Sequence, residues 1–409
     1  MFPVPQSSQP AIGAVIYPPG KPPEKLLADF AAELKARGFH LGGLLQDTLR
    51  DPSGRKTDMT VTEIDTGRTI SIGQSLGKDS KACILDSQAL AEASGSVRRA
   101  IESRADLLFI NKFSKSEMEG EGLAGDMLAA VVEGVRVLTA VPGVLIEEWT
   151  EFTGGQTELI APSMAALWRW WGPGRLYADL ANGVEEAAVR RVVVGLNWTM
   201  VETATGIGLA QTPERGTPGC NATSHAGKRT QGGLKALAGL VHSTDPFDQA
   251  LGMAACNAHY NRFDLALPGG NGLESFGAKG GGTVVIGAFP GIADRLPGAK
   301  VIDRKPASGQ YPEQASEWLL PAAEAAIITA SALANRSLPG LLRLARFARV
   351  ALVGPGAPLT SRLFTYGIEV SSGLIAEDPD ALARAVAEGG GAKDLKRHCR
   401  QATMRKTAP

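Results

Sequence analysis

Two cysteine–histidine pairs carry the side chains best suited to bind a soft metal ion. Cys220 and His225 lie five positions apart in a glycine-rich segment, and Cys256 and His259 lie three apart in a stretch of helical pattern. Residues three apart on a helix share a face, and thiolate with imidazole suits Zn²⁺ or a similar ion. All four are candidate metal ligands. A buried cysteine is also a common small apolar core residue, so a purely structural role is the alternative.

A second candidate site follows the first apolar segment, where lysines accompany a proline-rich loop. Residues 15–25 (VIYPPGKPPEK) keep the Gly-Lys pair of a phosphate-binding loop but lack its first glycine and its Ser or Thr. Four prolines also remove backbone N–H donors. A helix predicted to begin just after the loop still favours an anion there. Lys21, Lys25 and the distant Lys112 are therefore candidate anion-binding residues, whereas ordinary Mg-ATP binding is expected to be impaired.

A third candidate site depends on short apolar segments in the last third of the chain. There are five such segments, 282–289, 299–306, 325–331, 349–356 and 367–373, and helical stretches separate most of them. This alternation predicts a parallel sheet of the Rossmann type, whose ligands collect at the carboxyl ends of the strands. Asp303 ends one segment, at the position where an acidic residue often binds a ribose, and Thr329 and Gly354 end two others. Simple tight turns are the alternative for the loops.

Three domains must position these residues. Residues 1–172 alternate apolar segments with helical stretches and end in a tryptophan-rich patch. Residues 176–268 contain a segment, 189–212, that predicts two or three antiparallel strands, and residues 272–409 hold the Rossmann-like run. Gly and Pro dominate 267–282, which predicts a linker with little apolar surface to bury. The expected fold class is α/β.

Composition narrows the function. The chain has 409 residues, and Lys+Arg equals Asp+Glu at 42 each, so no basic footprint for nucleic acid is expected. Four scattered cysteines favour a reducing compartment over a disulfide framework. The N-terminal residues have no signal-peptide pattern, and no apolar run is long enough to span a membrane. These features predict a cytoplasmic protein.

The first 170 residues resemble a known group of proteins. The ordered segments KARGFHLGGLLQD, TEIDTGRTISIGQSLG and ADLLFINKFSKSEMEGEGL are similar to small nucleoside triphosphatases near the molybdopterin-pathway P-loop proteins. They are closer still to an uncharacterised bacterial family with a molybdenum-transporter ATP-binding-like label. The resemblance implies a P-loop fold, with an acidic pair for Mg²⁺ and water after one strand. This chain has Asn111 and Lys112 at that pair, which implies a degenerate module without fast hydrolysis.

Residues from about 176 to 405 resemble the bacterial and archaeal heavy-metal chelation family. The matching segments are 195–209, 254–261, 284–292, 328–338 and 354–373. The resemblance implies an enolase-N-terminal-like α+β subdomain, a Rossmann-like subdomain and a site between them. The cleft residues that it implies are Asn257, Asn261, Thr329, Asn335, Gly354 and Pro358.

The preferred hypothesis is a metal-handling binding protein, for molybdenum or another heavy metal, with the ligand held between the two C-terminal subdomains. The alternative is an enzyme that uses a nucleotide or S-adenosyl-type cofactor on the Rossmann-like sheet, with Asp303 on the ribose. A non-catalytic scaffold is the third hypothesis. The expected ligand is thus a metal ion, a metal oxyanion or a nucleotide, and the expected protein partner is a second copy of the chain or a metal enzyme.

Overall fold

The computed structural model describes residues 11–53, 56–74, 84–85, 87–110, 112–214, 225–276 and 280–407. The chain divides after Trp171 into two compact units, here called the front unit and the back unit. Among the described residues, no helix is long and apolar enough to cross a membrane.

The front unit alternates strands and helices along the chain. Its strands are β1 (Ile12–Tyr17), β2 (Leu41–Arg50), β3 (Lys56–Glu63), β4 (Thr69–Ser71), β5 (Gly73–Gln74), β6 (Ile84–Leu85), β7 (Leu107–Ile110), β8 (Val137–Pro142) and β9 (Thr157–Ile160). Its helices are α1 (Glu24–Ala36), α2 (Ser87–Glu102), α3 (Lys115–Met118), α4 (Ala124–Val132), α5 (Ile146–Phe152) and α6 (Met164–Trp171).

Seven of these strands form one sheet in the order β4-β3-β2-β7-β8-β1-β9. The five strands from β2 to β9 are parallel. β3 is antiparallel to β2, and β4 is antiparallel to β3, so β4 again runs in the direction of β2. Every residue of β7, Leu107–Ile110, is buried, as expected where helices cover both faces of a parallel sheet. The predicted α/β class is confirmed.

The tryptophan-rich patch belongs to the core of the front unit. Trp168, Trp170 and Trp171 on α6 are all buried. The Trp168 ring packs edge-on against Phe30 of α1, with ring centroids 5.7 Å apart, and Trp171 packs against Phe39. These tryptophans therefore stabilise the front unit from within.

The back unit has an antiparallel sheet followed by a mainly parallel one. Its strands are β10 (Val189–Val194), β11 (Trp198–Thr203), β12 (Ile207–Gln211), β13 (Thr283–Ile286), β14 (Lys300–Asp303), β15 (Tyr311–Pro312), β16 (Ala325–Thr329), β17 (Arg349–Val353), β18 (Ile368–Ala376) and β19 (Cys399–Arg405). Its helices are α7 (Leu176–Asn182), α8 (Gly233–Ala238), α9 (Pro246–Tyr260), α10 (Ile292–Arg295), α11 (Ser316–Leu319), α12 (Ser331–Ala334), α13 (Leu338–Leu344), α14 (Pro379–Ala387) and α15 (Ala392–Leu395).

In the antiparallel subdomain β10, β11 and β12 form one sheet, and β11 and β12 pack against the long helix α9. Asp245 caps this helix by accepting hydrogen bonds from the Phe247 and Asp248 amides, and Pro246 occupies its first position, which suits proline. Gly208 of β12 lies so close to α9 that a Cβ there would be 1.9 Å from the Ala254 carbonyl oxygen. Only glycine allows this strand and helix to approach so closely.

The Rossmann-like subdomain has the strand order β15-β14-β13-β16-β17-β18-β19. All neighbouring strands are parallel except β19, which is antiparallel to β18. Counted from β13, the first six strands follow the order 3-2-1-4-5-6 of dinucleotide-binding sheets. The strand order reverses between β13 and β16, since β14 and β15 lie on one side of β13 and the later strands on the other. Ligands of open α/β sheets bind at such a switch point.

The segment 267–282 is more than the linker that its composition predicted. Leu273 is buried in the core of the Rossmann-like subdomain. Gly272 donates its backbone N–H to the Ser372 hydroxyl at 3.2 Å, and the Thr403 amide donates to the Pro268 carbonyl. The described part of this segment therefore packs against the sheet, through Leu273, Phe276 and these backbone hydrogen bonds.

Candidate functional site

A cavity of about 590 Å³ opens at the switch point of the Rossmann-like sheet. Its floor is formed by the carboxyl ends of β13, β14 and β16, and its opposite wall by the end of β12 and the start of α9. Both subdomains of the back unit therefore contribute to it. Parallel strands bring their carboxyl ends to one edge, which explains why residues distant in sequence meet here.

Asp303, at the end of β14, lines the cavity and also shapes it. Its Oδ2 accepts the Ala288 amide at 2.8 Å, and its Oδ1 accepts the Lys305 amide at 2.9 Å. Each carboxylate oxygen keeps a further lone pair. Asp303 can thus accept a hydrogen bond from a ligand while it holds the loops after β13 and β14.

Hydroxyl groups cluster at the end of β16. Thr329 and Ser331 both line the cavity, and their hydroxyl oxygens are 3.0 Å apart. Gly287, at the end of β13, has φ +97°, and a Cβ there would lie 2.9 Å from the Thr329 side chain. The glycine leaves the Thr329 side chain its place beside the cavity.

Asn335 and Ser337 line the cavity beyond α12. The Asn335 Oδ1 accepts the Ser337 amide at 3.0 Å and the Ser337 hydroxyl at 2.6 Å. This arrangement fixes the plane of the carboxamide and leaves its NH₂ group as the donor that a ligand can meet.

Charged groups at the cavity occur as pairs. Lys305 forms an ion pair of 3.1 Å with Glu214, and Arg304 lies 3.9 Å from Glu313. All four side chains line the cavity and are mostly exposed. Asp303 differs from these pairs, because its carboxylate is bonded to backbone amides. The charges of the two ion pairs cancel, so the described wall has little net charge and presents mainly hydroxyl and amide groups.

The other four residues implied by the family resemblance do not line the cavity. The buried Asn257 donates to the Leu209 carbonyl at 2.7 Å and to the Gly356 carbonyl at 2.9 Å. Asn261, also buried, donates to Ala357 and Leu374 and accepts the Leu359 amide. Their carboxamides connect α9 to the loop after β17, where Gly354 and Pro358 also lie. A direct ligand role for these four stays a prediction.

The predicted cysteine–histidine set is only partly within the described residues. Cys220 lies outside them, and His225 is exposed in a left-handed backbone conformation. Cys256 is fully buried, and burial raises the pKa of its thiol to about 12. His259 is half-buried, stacks edge-on against Tyr260, and has a pKa lowered mainly by burial. Within the described residues, no group of three or more His, Cys, Asp or Glu could hold a metal ion.

The predicted anion site of the front unit is built around a carboxylate. Lys21 is exposed after a turn in which its amide donates to the Pro18 carbonyl, and Lys25 is paired with Asp29 at 2.9 Å. Glu24, in the first turn of α1, accepts hydrogen bonds from the Thr48 hydroxyl at 2.7 Å and the Thr48 amide at 3.3 Å. A negative charge of the protein itself thus lies at this helix start. Lys112 is half-buried, and its neighbour Asn111 lies outside the described residues.

Several cavity residues were not predicted from the sequence. Gln211 and Thr212 end β12, Gln249 lies in the first turn of α9, and Glu313 and Ser316 follow β15. No local pattern marks them, because their segments meet only when the two subdomains pack. The pair Asp245-Pro246 is the one sequence signal that could have pointed to this wall of the cavity. It marks a capped helix N-terminus, and such a terminus is a common part of a ligand site.

Three family models match consecutive parts of the chain. Residues 12–170 match "Protein of unknown function (DUF2478)". Residues 177–260 match DUF4213 and residues 272–405 match DUF364, and both models are described as "Putative heavy-metal chelation". The chain thus joins a DUF2478 region to a DUF4213 and DUF364 pair. The resemblances seen in the sequence are confirmed for both halves.

Individual relatives cover one half or the other. The DUF2478 region is 41% identical over 160 residues to the molybdenum import ATP-binding protein ModC 2 of Bradyrhizobium diazoefficiens, which is 39% of this chain but only 18% of that protein. The DUF4213 and DUF364 pair is similar to a DUF364-family structure of unknown function from Desulfitobacterium hafniense, with 29% identity, a TM-score of 0.52, and coverage of 57% of this chain and 99% of that one. A Pyrococcus horikoshii DUF364 structure is 17% identical, with a TM-score of 0.48 and the same coverages. The two heavy-metal chelation descriptions and the molybdenum import relative support a general metal-related or nucleotide-binding role.

Proposed function

We propose that the back unit is a metal-handling binding module that holds a metal-bearing small ligand in the cavity between its two subdomains. The observation that carries the proposal is the cavity itself, of about 590 Å³, with walls from both subdomains. Sites for small organic ligands typically measure about 300–1,000 Å³ and place a few polar groups in a partly apolar wall. The description of the two matching families as heavy-metal chelation supports the metal.

The chemistry of the wall favours a metal complex over a bare ion. A bare Zn²⁺ or similar ion needs about four close ligands, and the described residues offer no such group. The Cys256 thiol, with its pKa raised to about 12, stays protonated at neutral pH and is a poor ligand. Hydroxyl and amide groups such as Thr329, Ser331 and Asn335 suit instead the oxygens or nitrogens of an oxyanion or an organic chelator.

Molybdenum is the metal that the comparisons favour. The front unit resembles part of a molybdenum import protein, although this chain spans 18% of that relative. In the proposal, the front unit accompanies the metal-binding unit on one chain without serving as an ATPase. An active phosphate loop places the phosphate at the start of the helix that follows it. In the front unit, the start of α1 carries the carboxylate of Glu24, which is bonded to Thr48.

The test is the metal content of the untagged, freshly purified full chain, measured by elemental mass spectrometry, with native mass spectrometry of the same sample to detect an organic partner. About one metal per chain is expected. Thr329→Val and Asn335→Ala should reduce the metal retained. Asn197→Ala is the matched control, because the Asn197 side chain is exposed, bonds the Gly389 carbonyl and does not line the cavity. A metal-free wild-type chain would overturn the proposal.

A nucleotide ligand is the second candidate, and the strand order favours it. Asp303 ends the strand next to β13, where dinucleotide-binding sheets place the residue that binds ribose. Asp303→Asn keeps one side-chain acceptor for the loops but removes the charge that a ribose hydroxyl would meet. The substitution should weaken the binding of adenosine nucleotides about tenfold or more if they are the ligands, and should leave the metal content nearly unchanged if a metal complex is bound.

A further inference from the structure

The backbone of Arg336 has a conformation that ordinary side chains avoid. Arg336 lies just beyond α12, with φ +61°, and its amide donates to the Leu333 carbonyl at 3.2 Å. Glycine is the usual residue at such a left-handed position after a helix, because a Cβ makes this conformation unfavourable. A strained residue of this kind persists when its surroundings hold it in place.

Contacts of the Arg336 side chain hold this backbone conformation in place. Its guanidinium carbon lies 4.1 Å from the centre of the Tyr177 ring, and the guanidinium donates a hydrogen bond to the Val241 carbonyl. Tyr177, on α7, is buried and donates its hydroxyl to the Leu333 carbonyl at 2.9 Å. Burial raises the pKa of the tyrosine well above its usual range, so the hydroxyl remains a donor.

These contacts connect the antiparallel subdomain to a short segment that carries cavity residues. Tyr177 and Val241 belong to the antiparallel part of the back unit, whereas residues 333–337 span the end of α12 and the turn after it in the Rossmann-like part. Asn335 and Ser337 of the same segment line the cavity. The alternative is that Arg336 simply tolerates an unfavourable backbone conformation at a helix end. That alternative does not explain why three contacts from the antiparallel subdomain, two to Arg336 and one to the Leu333 carbonyl, meet at this segment.

We infer that Arg336 is a positioning residue, and that its contacts with Tyr177 and Val241 form a latch that fixes Asn335 and Ser337 in the cavity. A glycine would suit the backbone better but could make neither side-chain contact. The ligand-binding consequence of the latch rests on the proposed function. The positioning itself does not, because it can be measured on the ligand-free chain.

The test compares Arg336→Gly with the wild-type full chain. Glycine relieves the backbone strain, so the midpoint of thermal unfolding should stay close to that of the wild type. The amides of 335–337, which are hydrogen-bonded in the structure, should exchange with solvent about tenfold faster, as expected for the loss of a hydrogen-bonded contact. The amides of β16 should be unchanged. Metal retained per chain should fall by at least half.

Two further variants make the result specific. Arg336→Lys keeps a charge and a donor but loses the planar stacking group, and should lie between the wild type and Arg336→Gly. Arg343→Ala removes an exposed arginine of α13 and should change nothing. Unchanged exchange at 335–337 in Arg336→Gly would overturn the latch. Faster exchange there, combined with a metal-free wild-type chain, would support the latch and reject the proposed metal ligand.

Discussion

The carboxylate of Asp303 accepts the backbone N–H of Ala288, with 2.8 Å between Oδ2 and N, and so ties the end of β14 to the end of β13. Its second oxygen accepts the Lys305 amide. The residue that the sequence marked as a ribose ligand therefore also maintains the cavity edge. Asp303→Ala therefore affects both the shape of the site and its chemistry, whereas Asp303→Asn keeps one acceptor for the loops.

Asp303→Ala should destabilise the back unit by about 1–3 kcal/mol, because two loop amides lose their acceptor. Asp303→Asn should cost less, since one acceptor oxygen remains. Chemical denaturation of the full chain measures both, and hydrogen exchange at Ala288 and Lys305 locates the effect. Asp294→Ala, at an exposed position on α10, is the control. An alanine variant as stable as the wild type would show that these two bonds contribute nothing.

Asn257→Ala and Asn335→Ala should separate stability from binding. The Asn257 amide satisfies two buried carbonyls, those of Leu209 and Gly356, so its loss should cost about 2–3 kcal/mol. Asn335 is exposed at the cavity, where water can replace its two bonds to Ser337. Its loss should therefore cost about 0.5–1 kcal/mol while lowering ligand content. Equal stability losses in the two variants would contradict these roles.

The Cys256 thiol should be unreactive in the folded chain. Its folded-state pKa of about 12 lies above the ordinary value of 9.0 because the residue is fully buried. Between pH 9 and pH 12 the unfolded chain releases this proton and the folded chain keeps it, so the free energy of unfolding should fall as pH rises through that window. Alkylation at pH 8 with peptide mapping should leave Cys256 unmodified until denaturant is added.

Cys256→Ala tests the thiol as a metal ligand directly. We expect the variant to retain the wild-type metal content, with a modest stability loss of about 1 kcal/mol for the small cavity that it creates. Loss of the metal from a folded Cys256→Ala chain would restore the cysteine–histidine site that the sequence suggested. The same substitution at Cys399, also buried with a thiol pKa raised to about 12, is the control.

Glu24→Gln should strengthen anion binding by the front unit. Glu24 places a negative charge in the first turn of α1, three residues after Lys21 in the sequence. Neutralising it should favour an added anion by about 0.3–1 kcal/mol, or roughly twofold to fivefold in affinity. Calorimetric titration of the full chain with ATP and with molybdate measures this. Asp29→Asn, which removes the partner of Lys25, distinguishes Lys25 from Lys21. If neither ATP nor molybdate produces a heat of binding with the wild type or with either variant, the anion site is rejected.

Positions at strand ends were the part of the site that the sequence could predict. Apolar segments with polar ends predicted the parallel sheet, and its topology brings Asp303 and Thr329 to one edge. Asn335 came from the family resemblance and also lines the cavity. By contrast, Gln211, Gln249 and Glu313 come from three segments with no shared pattern, so nothing in the sequence indicated that they would meet.

The sequence by itself determined the α/β class, because the alternation of apolar strands and helices is written in neighbouring residues. It could not decide what each polar or sulfur-bearing side chain does. An asparagine on α9 could face a ligand or join two loops, and a cysteine could bind metal or fill the core. Only the packing of α9 against β12 and the loop after β17 decided that Asn257 is bonded to backbone and Cys256 is buried. Burial and hydrogen-bond partners depend on residues far apart in the chain, which only the tertiary structure brings together.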